Sequence, residues 1–275
     1  IKEFFCKIHP QKEQHDFCIS YLKYCLRGGN PKAIFKVNIG PSAANGKSTE
    51  TEIHETVFPI YTYKMNRNVF TKGFTKTHKF MYKLITDPIR LAYINELDDS
   101  KLDEDFLKDI IDCKTLQLEE MYSKVSRKTD IQCKILTTSN KDPNLNVDAG
   151  ILRRMTVQHY ESQFVDPEYV DISRHKYLID RTFAERFKQN DYKLAYFHYI
   201  MNAPDVSIPE ANKDLAKSIV ENNDKIYSTL TDHFTITGNH DDKVHMSRLK
   251  SYFPDMTIQS LNKELKRFNI NYDKN

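Results

Sequence analysis

Apolar positions along this chain fall into short runs separated by polar, turn-prone stretches. Between residues 11 and 26, Phe17, Ile19, Tyr21, Leu22, Cys25 and Leu26 gather largely on one side of a helical wheel, which predicts a helix. Gly28-Gly29-Asn30-Pro31 ends it, because glycine and proline together break helical periodicity. Ala33 to Ile39 then reads as a short buried strand running directly into a glycine loop, and a second helix is expected from Lys47 to about Thr56. Two further runs, Leu91–Glu96 and Gln132–Asn140, are apolar and end in a polar residue. They read as strands of the same sheet. Ligands of open α/β sheets gather at the carboxyl ends of strands, so these polar ends are expected to converge. A helix, Asp103 to Ile111, lies between them, followed by a segment able to form a hairpin.

The pattern then changes. Residues 166–225 are polar and helical, punctuated by Pro204 and Pro209. Residues 226–275 read as a separate small unit: Ile226–Phe234, Val244–Phe253, and a helix with Ile258, Leu261, Leu265 and Phe268 on one face. Lys263, Lys266 and Arg267 fall away from that stripe, and an extended tail, Asn269 to Tyr272, follows. That order fits a winged helix. The expected layout is an N-terminal helical segment (1–30), an α/β core (31–165), a helical connection (166–225) and a winged-helix-like domain (226–275).

Composition narrows the class. Apolar residues make up 39% of the 275, but 16 Phe and 16 Tyr supply enough buried area for a sizeable core. Charged residues are 29% with both signs mixed, which excludes a disordered polyelectrolyte. A net charge of +3 does not by itself point to nucleic acid, so local clusters must carry that argument. Five cysteines without a Cys-x-x-Cys pair argue against a disulfide framework and for a reducing compartment. His15, Cys18 and Cys25 lack a fourth ligand for zinc, so buried thiols are the simpler expectation. No stretch approaches the ~20 apolar residues of a membrane span. Ile1 stands where a start codon would place Met, so a piece of a longer polypeptide is expected.

The strongest chemistry lies in Gly40-Pro41-Ser42-Ala43-Ala44-Asn45-Gly46-Lys47-Ser48-Thr49. A tight loop followed by a helix N-terminus presents backbone N–H groups to an anion. Gly40, Ala44, Asn45, Gly46, Lys47, Ser48 and Thr49 are the expected nucleotide-binding residues. Lys47 would reach the β/γ-phosphates of ATP, and the Ser48 hydroxyl would ligate Mg²⁺. Five residues separate Gly40 from Gly46, one more than the usual pattern.

Asn95-Glu96 ends the second strand. An acid there is placed to organise Mg²⁺ and polarise the attacking water, so Glu96 is the candidate base, and Asn95 is a neutral contributor near the metal. Asn140 ends the third strand, placed to hold that water or sense the γ-phosphate. Arg153-Arg154 follow closely; an arginine delivered from another subunit would stabilise charge on the transferring phosphoryl group.

Taken in order, these residues resemble the superfamily 3 helicases, more narrowly the helicase half of the poxvirus and asfarvirus type of primase–helicase. The matching pieces are Asn45–Thr49, Arg90-Leu91 leading to Asn95-Glu96-Leu97, Phe106–Lys108, Met121-Tyr122, Thr138–Asn140 and Ala149–Arg154, with Phe164 after them. The resemblance covers residues 1–165 well and the rest loosely. It implies an AAA+-like phosphate-loop core with a mostly parallel sheet, and a homo-hexameric ring moving on single-stranded DNA and unwinding forks. It implies a hairpin from about Tyr122 to Asp130 in the channel, with Tyr122, Lys124 and Lys128 on DNA. It also implies Arg154, or Arg153 beside it, as the trans-acting finger, a primase domain elsewhere in a longer chain, and the cytoplasm of an infected host cell.

Residues alone leave other readings open. From Thr56 to Thr86 there is no acid, and Lys64, Arg67, Lys72, Lys76, Lys79 and Lys83 interleave with Tyr61, Tyr63, Phe70, Phe74, Phe80 and Tyr82. That suits backbone contact and base stacking. It equally suits aromatics facing a core beneath solvated lysines. A monomeric nucleotide kinase, or a nucleotide-stabilised scaffold without turnover, would carry the same loop.

Overall fold

The chain leads with two helices, α1 (Lys2–Ile8) and α2 (Lys12–Tyr24), before its first strand, β1 (Phe35–Ile39). Then come α3 (Lys47–Val57), β2 (Thr62–Lys64), α4 (His78–Thr86), β3 (Leu91–Asn95) and α5 (Glu104–Ile111). A two-stranded hairpin, β4 (Thr115–Glu119) with β5 (Ser126–Asp130), precedes β6 (Lys134–Ser139), α6 (Ala149–Leu152) and β7 (Met155–His159). A parallel pair, β8 (Gln163–Val165) and β9 (Lys176–Leu178), leads to α7 (Asn190–Met201) and α8 (Glu210–Asn223). The last helices are α9 (Lys225–His233), α10 (Met246–Tyr252) and α11 (Ile258–Arg267). These coordinates are a computed structural model, describing residues 1–40, 43–73, 78–96, 102–119, 126–140, 148–237, 239, 242, 244–267 and 270, with side chains at 78–80, 82, 116–119, 126, 127, 225 and 267 left undescribed.

The architecture is α/β. Five parallel strands form the central sheet in the order β2-β3-β6-β1-β7. β1 and β6 are buried almost throughout because each has a strand on both sides and helices above and below. From β1 to β2 the chain crosses the sheet in one direction, and from β2 through β3 and β6 to β7 it returns. Right-handed crossovers therefore place α3 on one face and α4, α5 and α6 on the other. Asp103 and Asp148 cap α5 and α6, accepting from the backbone N–H groups of Phe106 and Ile151.

On the α3 face, α1, α2 and α7 close a core containing Phe5, Ile8, Leu22, Ile53, Phe187 and Tyr196, all essentially solvent-free. Burying side chains of this size contributes roughly 1.5–3 kcal/mol each. Of the basic and aromatic run, Phe70 points into the core while Lys64, Arg67, Lys72 and Lys83 are exposed, and Lys83 lies over the Tyr63 ring. Phe70 fits the inward-aromatic reading, whereas Tyr61 is exposed.

The chain divides into two compact units, Ile1–Lys217 and Ser218–Asn275. The second has its own core of Leu230, Met246, Leu249, Phe253, Leu261 and Leu265. Its described residues carry helices and no strand, and the expected tail lies outside them apart from Ile270. Ile258, expected on the buried stripe, is 52% exposed, because it starts α11 before the helix reaches the core. No helix among the described residues is long and apolar enough to cross a membrane.

Candidate nucleotide-binding site

Register brings the sequence-predicted residues together. Ile39 of β1 stands beside Ser139 of β6, and Asn95 of β3 stands beside Thr138. The next residue on each strand is Gly40, Asn140 and Glu96, so all three emerge at the same carboxyl edge. Backbone bonds lock them there: Gly40 N–H donates to Ser139 O at 3.2 Å, and Glu96 N–H to Thr138 O at 2.8 Å.

The loop between β1 and α3 is built around two glycines. A Cβ on Gly40 would lie 2.2 Å from Asn45 Nδ2 and 2.9 Å from Lys47 Nζ. Gly46 has φ +90°, which side chains avoid, and a Cβ there would sit 2.4 Å from Ile8 Cγ2. Ala44, also left-handed at φ 58°, is braced by the Phe164 N–H, which donates to its carbonyl at 2.7 Å. Asn45 and Lys47 are buried, and Ser48 is exposed at the start of α3. Pro41 and Ser42 lie outside the described residues. This is a cradle that fits a polyphosphate: glycine-permitted curvature, a helix N-terminus and one ammonium.

That ammonium is held under tension. Lys47 Nζ donates to Gly40 O at 3.2 Å, and burial pushes its pKa down to about 8, with the negative charge of Glu96 pulling the other way. Bound phosphate favours the charged form, so the proton deficit must be made up on binding once the pH exceeds the free value. Nucleotide affinity should be level below pH 8 and fall up to about tenfold per unit above it. Lys47→Arg, which keeps its charge, should flatten that profile; an equally steep fall in the arginine variant would assign the titration to another group.

Opposite the lysine, Asn140 Nδ2 donates to Glu96 Oε1 at 3.0 Å, and both residues are exposed to solvent. Glu96 itself is held at φ 56°. A non-glycine residue in that region is a sparse and costly conformation that surrounding structure must enforce. Asn95 Oδ1 accepts from Thr138 Oγ1 at 3.2 Å, which aligns its side chain with the strand ends. Ser48, Asn95 and Glu96 together offer the hard oxygen donors that Mg²⁺ takes.

The arginine pair lies elsewhere. Phe35 N–H donates to Arg154 O at 2.7 Å, so the pair sits at the amino edge of the sheet. The five residues of β1 separate that edge from Gly40, about 17 Å of strand. The two arginines differ in what they can do. Arg154 is bidentate on Asp112 at 2.8 and 2.6 Å and donates to Gly150 O at 2.6 Å. This pair holds the Asp112 carboxyl below the usual carboxylate range. Arg153 is exposed, and its guanidinium makes no hydrogen bond or ion pair among the described residues. The geometry therefore favours Arg153 over Arg154 as a side chain able to reach outward.

Of the expected DNA-contacting residues, Lys128 is exposed on β5, paired across the hairpin with Gln117. Tyr122 and Lys124 lie outside the described residues.

A cavity of about 430 Å³ opens beside the loop. Ala44, Gly46 and Thr49 line it together with Phe4, Phe164 and Phe183. Phe4 stacks on Phe164 with ring centres 5.7 Å apart, and lies tilted against Phe183 at 4.7 Å. Sequence reasoning missed Phe4 and Phe183. Neither belongs to a motif, and they meet only through folding.

No protein-family model matches the chain. A protein of Acanthamoeba polyphaga mimivirus, named "putative helicase", is 28% identical over 172 residues. The match takes in 60% of this chain and 17% of the viral protein, so the chain spans less than a fifth of that relative's length. Apo structures of the NrS-1 C-terminal region resemble the fold. Two superpose with TM-scores of 0.53 and 0.55 at 14% identity, over 84% of this chain and 53% and 56% of theirs. A third gives 0.52 at 11% identity, over 98% of this chain and 62% of that one. At such identities the likeness is one of fold.

Proposed function

We propose that this chain is the ATP-driven core of a superfamily 3 DNA helicase, acting as a homo-hexameric ring on single-stranded DNA within a longer viral primase–helicase. The observation that carries the reading is the meeting of Lys47, Glu96 and Asn140 at the carboxyl ends of three adjacent parallel strands. The mimivirus relative supports the helicase class.

Backbone N–H groups from Ala44 to Thr49 and the Lys47 ammonium hold the phosphates. Ser48, Glu96 and Asn95 hold Mg²⁺, which when bound neutralises charge on the phosphate oxygens. Glu96 accepts a proton from the attacking water while the Asn140 amide fixes the carboxylate and orients the water. Arg153 of a neighbouring copy supplies positive charge to the transferring phosphoryl group. Lys128, with Tyr122 and Lys124, contacts the DNA backbone and bases in the channel.

The aromatic cavity beside the loop takes the base. Phe164→Ala should weaken ATP binding roughly tenfold, as expected for loss of one stacking surface. Titration calorimetry on the folded variant checks it, and unchanged affinity would place the base elsewhere.

The reading as a whole is tested by ATP hydrolysis against protein concentration, with and without single-stranded DNA. Turnover per chain should rise as the protein assembles and rise again with DNA. A flat, DNA-indifferent rate would indicate a monomeric NTPase. Binding without turnover would indicate a scaffold.

A further inference from the structure

Behind the phosphate loop, the sheet face under α2 and α3 is unusually polar for a protein interior. Lys36 and Asn38 of β1 and Thr156 and Gln158 of β7 are solvent-free there. Above them sit His9, Cys18 and Glu50, 2%, 0% and 0% exposed. Glu50 lies on α3, one turn beyond Lys47. Its Oε2 accepts from the Cys18 thiol at 3.3 Å and from the Tyr160 hydroxyl. Tyr160 in turn accepts from Asn38 Nδ2 at 2.9 Å and packs edge-on against the His9 ring.

Among the described residues, six atoms of this layer have no hydrogen-bond partner: Lys36 Nζ, Asn38 Oδ1, Thr156 Oγ1, Gln158 Oε1, His9 Nε2 and Glu50 Oε1, the last two on the His9–Cys18–Glu50 cluster. Buried polar atoms are costly to leave unpaired, and an unpaired carboxylate oxygen especially so. One atom each from His9, Cys18 and Glu50 lie within 4.8 Å of one another. Tetrahedral zinc, with bonds of about 2.0–2.3 Å, holds its ligand atoms roughly 3.5 Å apart. The Cys18–Glu50 pair is already at that spacing, and closing the rest takes about an ångström. The donors are one imidazole, one sulfur and one carboxylate. That set suits a borderline-soft divalent ion and not the Mg²⁺ expected at the strand ends.

We propose that His9, Cys18 and Glu50 bind one zinc-class divalent cation that ties the α1–α2 segment to α3 behind the phosphate loop. Thiolate and carboxylate balance the two positive charges. On binding, the Cys18 S–H proton leaves to solvent as the sulfur–metal bond forms. Lys36 Nζ lies over the Phe17 and Tyr21 rings at 5.7 and 4.9 Å. The trio set aside on sequence grounds, His15 with Cys18 and Cys25, is not the one that meets here. His15 Nε2 bonds the Tyr199 hydroxyl and its Nδ1 meets Asp16.

The proposal is independent of the nucleotide reading. The full chain is expressed in cobalt-supplemented medium under reducing conditions, and metal content and absorption are measured. The expected result is one cobalt per chain, with a thiolate-to-cobalt charge-transfer band and visible d–d bands. Cys18→Ser should lose the charge-transfer band, and Cys25→Ser, a buried thiol outside the cluster, should keep it. His9→Gln, checked for folding by circular dichroism, should weaken the visible bands. A folded wild-type chain without metal or band overturns the proposal, as does a band that survives in Cys18→Ser.

Discussion

Replacing Lys47 by alanine should lower ATP turnover roughly 10²–10³-fold, the scale of losing one preorganised charge at a transferring group. It should do so without unfolding the protein. Lys47 is buried with a 3.2 Å bond to Gly40 O, and its pKa falls to about 8 from the 10.5 of a free lysine. A base whose pKa is lower folded than unfolded binds protons less well in the native state. At neutral pH its charge therefore opposes folding, and the opposition fades as pH rises from 8 toward 10.5. Removing the side chain lifts that strain while losing the packing of its stem. The melting temperature should stay level or rise. Steady-state hydrolysis and a thermal melt on the same preparation check both halves, and retained turnover would remove Lys47 from the phosphate site.

The arginine pair should split cleanly. Arg153→Ala should cut turnover by about 10³-fold or more, the effect of losing a trans-acting arginine, with nucleotide binding and melting unchanged. Arg154→Ala should instead destabilise the fold by about 2 kcal/mol, because three charge-assisted bonds to Asp112 and Gly150 are lost in a mostly buried setting. Both arginines stand at the sheet edge opposite Gly40, beyond the reach of a side chain of the same copy. Mixing Arg153→Ala with Lys47→Ala therefore offers a decisive control. Subunits pairing an intact loop with an intact arginine should recover part of the rate. No recovery, or normal turnover in Arg153→Ala alone, would end the trans-arginine reading.

Much of the sheet was legible because its strands announce themselves. β1, β3 and β6 are short apolar runs that stop at a glycine or a polar residue, and that stop is what the site uses. β7 was not legible. Met155-Thr156-Val157-Gln158-His159 looks like a solvated stretch, yet it is buried because Thr156 and Gln158 face the polar layer beneath α2. β2 is three residues long at a sheet edge, too short for a pattern, and α1 has no capping side chain to mark its start. The motif residues could be found in order from sequence. Which arginine is held could not, since Asp112 lies 42 residues before Arg154.

One contact sets how this protein can be cut. Ile8 fills the space that a side chain at Gly46 would occupy, and Phe4 from the same helix lines the cavity beside the loop. Helix α1 is therefore part of the wall against which the loop is moulded. A shortened version beginning at the strand before the loop would retain every motif residue and lose the surface that shapes them. A working piece must therefore reach at least as far upstream of the motifs as α1, because Ile8 packs against Gly46.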